Sequence, residues 1–410
     1  MIFAERAPGL GLALVGLLLT GALGCVHPAP PAAQAVVESG VQGAALPLPQ
    51  AMAVLQGAAD SLDPALRGPA LAALVRSSPQ AGGGEWSARG LYDPSPRVRR
   101  DVADALVARL PEEPSRQILL GLAARTEVDP LTTCMALLAL APGDASVGAQ
   151  AAQVATRSRS VSQALPCWLA GTAAGDAQAA TQLQDALARG VLKLDLPLLL
   201  GLARTPSPAI SQGMAEGLDR VEELGRGAAA AVLLGHGDPR GEAHLRRILS
   251  QGPVEAAMEA IDFLAALDVP GADPLLARAA HGPRGRVSTY AGLARLAHGE
   301  VSGAALRQAT QADQDELLVL ALRCAGLGLR RYPDSGPVHR AARRLARVGL
   351  QRERERVQVA TAALVGALGE LDLGVALGPW LDADDPQVRL ATAMAVSQLQ
   401  AAPRKGLPPS

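Results

Sequence analysis

Apolar side chains recur along residues 50–402 with the spacing of helices rather than strands. In residues 93–106 (DPSPRVRRDVADAL), Val98, Ala103 and Leu106 share one helical face. Residues 205–218 (TPSPAISQGMAEGL) repeat the pattern, pairing Val98 with Ile210, Ala103 with Ala215 and Leu106 with Leu218. Asp385-Pro386-Gln387-Val388-Arg389 falls on the same frame, followed by Ala393, Ala395 and Val396. So do Asp63-Pro64-Ala65-Leu66-Arg67, leading to Leu71, Ala73 and Leu74, and Asp129-Pro130, leading to Ala136, Ala139 and Leu140. Asp or Ser at the start can accept from free backbone N–H groups, and Pro at the first helical position gives up no needed donor. A second signature marks the other helix of each pair. Gly237-Asp238-Pro239 leads to Leu245, Asp268-Val269-Pro270 leads to Leu275, and Gly299 leads to Leu306. A period of roughly 30–36 residues predicts about ten helical hairpins stacked in a row, because one hairpin cannot bury its stripe alone. The expected product is a rod of helices with a broad surface and no catalytic pocket. The frame blurs between 141 and 200, although VSQALPCWLAG and AATQLQDALARGVL still read as helices, and no β-rich segment stands out.

The first motif resembles the second helix of a HEAT repeat, D-x-x-x-x-V-R-x-x-A-A-x-A-L, through Asp93, Val98, Arg99, Ala103, Ala105 and Leu106. Arg389 also matches the repeat's arginine, and Ser211 departs from it. The Gly-Asp-Pro series resembles the short HEAT-like repeats named after phycobilisome lyases, a likeness of shape that carries no pigment chemistry. The resemblance implies an all-α fold, an α-solenoid of stacked antiparallel hairpins over residues 49–402, with 403–410 a disordered tail. It implies a binding scaffold, not an enzyme. Some HEAT-like proteins act as lyases or hydroxylases, so an enzyme or enzyme-maturation factor is the alternative. A self-associating structural element of the envelope is a third reading.

Composition agrees with close helix packing. Hydrophobic residues make up 49% of the 410 residues but aromatics only 2%, so the apolar content is mostly Ala, Leu and Val. The 38 Lys+Arg nearly balance 39 Asp+Glu, which gives no global attraction to nucleic acid.

Residues 9–24 (GLGLALVGLLLTGALG) are too short an apolar run for a spanning helix, which needs about 20 residues, and read as the core of a signal peptide occupying 1–24. Ala22-Leu23-Gly24-Cys25 resembles the lipobox of bacterial lipoproteins. That resemblance implies lipidation of Cys25, with palmitate among the acyl groups. It departs from the family at Ala22, more often Leu, and in an n-region whose Arg6 is offset by Glu5. Residues 25–48, with Pro28, Pro30, Pro31 and Pro47, read as a tether. Two or more acyl chains make such anchoring stable. Val26, where Asp commonly signals inner-membrane retention, favours the outer membrane, with the chain facing the periplasm.

Cys134, Cys167 and Cys324 then remain. Cys134 and Cys167 lie about one repeat apart, where neighbouring helices are spaced ~8–10 Å. A disulfide needs Cα atoms within about 7 Å, so buried free thiols are expected. No CxxC, GxSxG, HExxH or phosphate loop is present. Gly82-Gly83-Gly84 and Gly326-Leu327-Gly328 read as loop or helix-end glycines. His236, Asp238, Glu242 and His244 are the best metal candidates, but Glu242 and His244 point to different sides of a helix, so no metal or other cofactor is expected. His281, His298 and His339 are isolated.

Partner-binding candidates are Arg340, Arg343, Arg344 and Arg347, which line one helix face, and Trp86 with Tyr92 in the expected loop 79–93. The arginines suit an acidic protein surface or anionic headgroups; the bland alternative is a solvated face with local Arg–Glu pairs. Trp168 is assigned to the core and Trp380 to the solenoid edge. Unknown envelope proteins are the expected partners, with no nucleic acid and no small-molecule substrate.

Overall fold

The computed structural model describes residues 45–401, apart from 111, 126, 127, 142, 143, 145, 193–195, 206 and 312. The expected signal peptide, Cys25, the expected tether up to residue 44 and the expected tail 403–410 lie outside the described residues. Among the described residues there are 22 α-helices, no strand, and no helix long and apolar enough to cross a membrane. In chain order they are α1 (Leu48–Ala59), α2 (Pro64–Ser77), α3 (Gly84–Leu91), α4 (Pro96–Val107), α5 (Glu113–Ala124), α6 (Pro130–Leu140), α7 (Ser146–Ala155), α8 (Val161–Ala173), α9 (Ala177–Ala188), α10 (Leu196–Arg204) and α11 (Pro208–Gly217). They continue with α12 (Glu223–Gly235), α13 (Pro239–Gln251), α14 (Val254–Ala266), α15 (Ala272–Ala280), α16 (Gly285–Ala294), α17 (Gly303–Ala309), α18 (Asp315–Arg331), α19 (Gly336–Leu350), α20 (Glu355–Leu368), α21 (Leu371–Ala376) and α22 (Pro386–Ala401).

The capping chemistry works as the motifs require. Asp63 accepts from the Ala65 amide at 2.8 Å and Asp129 from Thr132 at 2.9 Å, each with Pro in the first turn. Gly237 and Gly299 hold φ of 74° and 88°, the left-handed conformation that ends a helix and that side chains with a Cβ resist. Even-numbered helices pack each on the next even one, from α2 to α22, and odd-numbered helices lie against them as hairpin partners. The even layer is buried on nearly every side; every residue from Gly227 to Leu234 and from Glu259 to Leu267 is buried. Its Ala-rich faces permit that approach.

The stack does not end as a rod. The last helix, α22, packs on α20 and also on α1 and α2. Gln50 donates to the Asp382 carboxylate at 2.9 Å across a separation of 332 residues. Leu46 and Leu399 press on Gly374, where a Cβ would stand 3.0 and 2.3 Å from their methyl carbons. The apolar core forms two arcs, and these share α8 and α22, so it runs round a closed ring. An open rod would expose the lateral stripes of its terminal repeats, which need capping. Here Leu55 of α1 and Leu390 and Val396 of α22 are fully buried, each worth ~1.5–3 kcal/mol. A repeat pattern encodes the hairpin but not the small rotation per hairpin, which is why a rod was the sequence expectation.

Two further expectations change. The helix after TPSP, α11, belongs to the odd series and packs on α9, whereas the helix after DPSP, α4, belongs to the even series. A cap followed by Pro starts any helix, so the match reports a helix start and not an equivalent position. Cys134 and Cys167 form a disulfide with Cα atoms 4.7 Å apart, and Cys324 is a buried free thiol. The spacing argument used helix axes; subtracting two Cα radii of about 2.3 Å from an axial spacing of ~9 Å leaves facing Cα atoms ~4–5 Å apart.

Three tests follow from this architecture. Cysteines placed at Gln50 and Asp382 are expected to be joined within one chain by a short bis-maleimide; failure to react would mean the ring is open. Thiol titration of the denatured, unreduced Cys25→Ser chain is expected to find one free thiol, Cys324, and three would exclude the disulfide. Replacing Cys134 and Cys167 by Ala should cost about 3–4 kcal/mol of unfolding free energy, the scale for a loop of this length.

Candidate protein-binding surface

Helix α19 is built to present arginines. Ser335 and Pro337 start it, and Val338, Ala341, Ala342, Leu345, Ala346, Gly349 and Leu350 bury its inner face. Arg340, Arg343, Arg344 and Arg347 are exposed on the opposite face and, with Val348 and Gln351, line an open groove of about 270 Å³. Arg343 is satisfied: Glu370 accepts from its Nε at 2.8 Å and its Nη2 at 2.6 Å, and this hydrogen bonding raises the Arg343 pKa further. Arg340, Arg344 and Arg347 make no hydrogen bond or ion pair among the described residues. Like charges three and four residues apart on a helix cost a few tenths of a kcal/mol each. Of the four stripe arginines, Arg343 alone is paired with a glutamate among the described residues, through Glu370 of the following hairpin. Arg352 instead donates to the Gln311 carbonyl at 2.7 Å, and Arg354 faces Asp315 at 3.6 Å.

The aromatic pair lies elsewhere; Trp86 stands within α3 rather than on a loop, whereas Tyr92 lies in the turn just after that helix. Residues 81–83 form a 3₁₀ turn with Gly82 and Gly83 at positive φ, and α3 follows immediately. Trp86 is half-buried against the core with the Arg89 guanidinium 6.0 Å from its ring centre. Tyr92 is 70% exposed, and Arg125 stacks on it at 3.7 Å. Only Tyr92 of the two presents its ring to solvent, and it does not join the α19 groove. Trp380 is buried rather than set on an edge, and Trp168 is half-buried against the core. Gly326 and Gly328 lie inside α18, where Gly328 lets that helix approach the Leu296 carbonyl.

The four metal candidates are committed to different partners. His236 accepts from the Ser211 hydroxyl through Nδ1 and donates through Nε2 to the Leu202 carbonyl, both at 2.8 Å, and burial lowers its pKa. Asp238 caps α13 and holds Arg240, Glu242 pairs with Arg246, and His244 faces Arg247. No group of three metal-binding side chains occurs among the described residues. His281, His298 and His339 bond to carbonyls of Ala277, Leu264 and Pro333, separate from one another.

No family model matches the chain, and no curated protein is significantly similar to it. A crystal structure described as that of an engineered protein is 16% identical, covering 86% of this chain and 99% of its own, with a TM-score of 0.26, a likeness too distant to bear on fold or function.

Sequence reading did not find a set of buried carboxyl groups in the even layer. Neither oxygen of Glu259 has a partner among the described residues, and burial, with Asp262 beside it, pushes Glu259 up to about 7. Burial raises Asp262 to about 6, with Arg323 acting against it, and raises Asp101 to about 7. Each is neutral in the fold at acidic pH and must ionise while buried, or the fold must yield, as pH rises. Folded pKa values above the ordinary ~4 mean that their contribution is fully present below that pH and lost as pH rises through about 7. The urea midpoint is expected to fall between pH 5 and 8, and Glu259→Gln should flatten that fall. Equal slopes for the two proteins would remove Glu259 from this account.

Proposed function

We propose that the protein is a lipid-anchored scaffold of the bacterial envelope, built of HEAT-like hairpins, that binds a partner protein and performs no catalysis itself. The lipobox-like segment ending in Cys25 and the Pro-rich tether support export and anchoring, most simply at the outer membrane facing the periplasm. The Cys134–Cys167 disulfide agrees with an oxidising compartment. The observation that carries the binding role is the row of Arg340, Arg344 and Arg347 on α19, unpaired among the described residues. Such a row is matched by an acidic protein face, whose association it would steer. The ring supplies a rigid frame for that face. The buried carboxyl groups do not form an accessible acid–base site, since the Glu259 oxygens have no solvent contact.

The test is co-purification from native envelopes at low and high salt. The triple variant Arg340→Glu, Arg344→Glu, Arg347→Glu is expected to stay membrane-bound but lose the salt-sensitive partner that the parent retains. Cys25→Ser is expected to leave the membrane and keep the partner. A triple variant that holds the partner as well as the parent sinks the docking role; a Cys25→Ser chain still sedimenting with membranes after a salt wash sinks the anchor.

A further inference from the structure

Arg67, Arg99 and Arg389 occupy one structural position, four residues beyond Asp63, Ser95 and Asp385 at the start of α2, α4 and α22. In each, Nη1 donates to the two carbonyls six and five residues back. These are Ser61 and Leu62 at 2.6 and 3.0 Å for Arg67, Asp93 and Pro94 at 2.7 and 3.0 Å for Arg99, and Ala383 and Asp384 for Arg389. That pair of bonds fixes the guanidinium and aims its remaining edge at the next hairpin. For Arg67 the edge is filled by Asp93, through Nε at 2.6 Å and Nη2 at 3.0 Å. For Arg99 it is filled by Asp129 at 2.9 Å.

Arg389 stands at the seam of the ring, and the hairpin beyond it is α1–α2. The equivalent acid there is Asp63, which caps Ala65 but makes no ion pair with Arg389 among the described residues. Nε and Nη2 of Arg389 meet no acceptor among the described residues. Between the two elements opens a cleft of about 400 Å³ walled by Val54, Ala58, Leu66 and Pro386, with Ser61 and Arg389 at its polar side. Leu62, 95% exposed, sits on the turn beside it.

We infer that this seam cleft is a carboxylate-binding site that takes an Asp side chain carried on an apolar-flanked segment of a partner protein. The chain itself shows the matching chemistry twice, since Asp93 precedes Pro94 and Asp129 lies between Val128 and Pro130. A guanidinium already held by two carbonyls presents a fork suited to two parallel bonds with a carboxylate, and lysine cannot reproduce that geometry. The apolar walls would shield the pair in part from water and favour branched or prolyl neighbours of the acid. The site is remote in sequence from Arg340, Arg344 and Arg347 and does not depend on their role.

The probe is a labelled peptide, acetyl-Val-Asp-Pro-Leu-amide, titrated onto the full chain in detergent and read by fluorescence anisotropy, beside the same peptide with Asn for Asp. Saturable binding that weakens about tenfold or more with the Asn peptide is expected, a difference of about 1.4 kcal/mol. Arg389→Lys should weaken the Asp peptide similarly, and Arg286→Gln, at an exposed arginine of α16 outside both arginine sets, should leave it unchanged. The Asp and Asn comparison uses the unaltered protein, so it decides the matter even if the Arg389 variant fails to fold. Equal binding of the two peptides, no saturation by about 10 mM, or full binding by Arg389→Lys would each overturn the assignment.

Discussion

A helical hairpin with an apolar stripe on both sides is stable only when each side is covered by a neighbour. Interior hairpins meet that condition automatically, and the first and last do not. Open stacks cover their ends with specialised polar-faced repeats. In this protein α22 covers α1 and α2, so Leu55, Leu390 and Val396 are buried as completely as residues in mid-stack. The geometry of every other element follows from that closure. The total rotation of eleven hairpins must return the last to the first, and local register must be held well enough for the error not to accumulate.

Polar and covalent links between hairpins hold that register, and they change character along the chain. The first two steps use arginine and aspartate, Arg67 with Asp93 and Arg99 with Asp129, with side chains largely withdrawn from solvent. At the next step Thr133 stands where the arginine would be, and the adjacent Cys134 is bonded to Cys167. Later hairpins instead send a donor back to carbonyls near the end of an earlier helix. Arg284 reaches Leu249 and Gly252, His298 reaches Leu264, and Arg331 reaches Ala265 and Ala297. Those carbonyls carry the negative end of the helix dipole and lack intrahelical partners, so a cation or an N–H donor there satisfies both needs.

The sequence made the hairpins legible because their determinants are local. Asp-Pro starts, left-handed glycines such as Gly237 and Gly299, and an apolar stripe of helical period each act within a few residues. Ring closure was not legible, since it depends on a small rotation summed over the whole chain. The disulfide was hidden for a related reason: facing Cα atoms on two packed helices are much closer than their axes. The TPSP stretch misled because capping chemistry is common to both helices of a hairpin, while Ser211 in place of the arginine marked the difference. Of the site residues, the α19 stripe was legible from spacing alone. That Glu370 would neutralise Arg343 and leave the other three uncompensated was not, because Glu370 comes from the next hairpin.

The two sets of arginines left uncompensated among the described residues differ in a way that bears on the ligand proposed for each. Arg340, Arg344 and Arg347 are exposed and close enough to repel, which suits a broad acidic face approached at long range. Their energy in contact is limited by solvent screening. Arg389 is half-buried, immobilised by Ala383 and Asp384, and walled by apolar groups. It offers little long-range attraction but a stereochemically specific fork in a drier environment, where charge-assisted bonds are stronger. A partner using both would be drawn by the first and fixed by the second. Closure of the ring creates the second site, because only at the seam does the arginine ladder face a hairpin whose aspartate does not complete it.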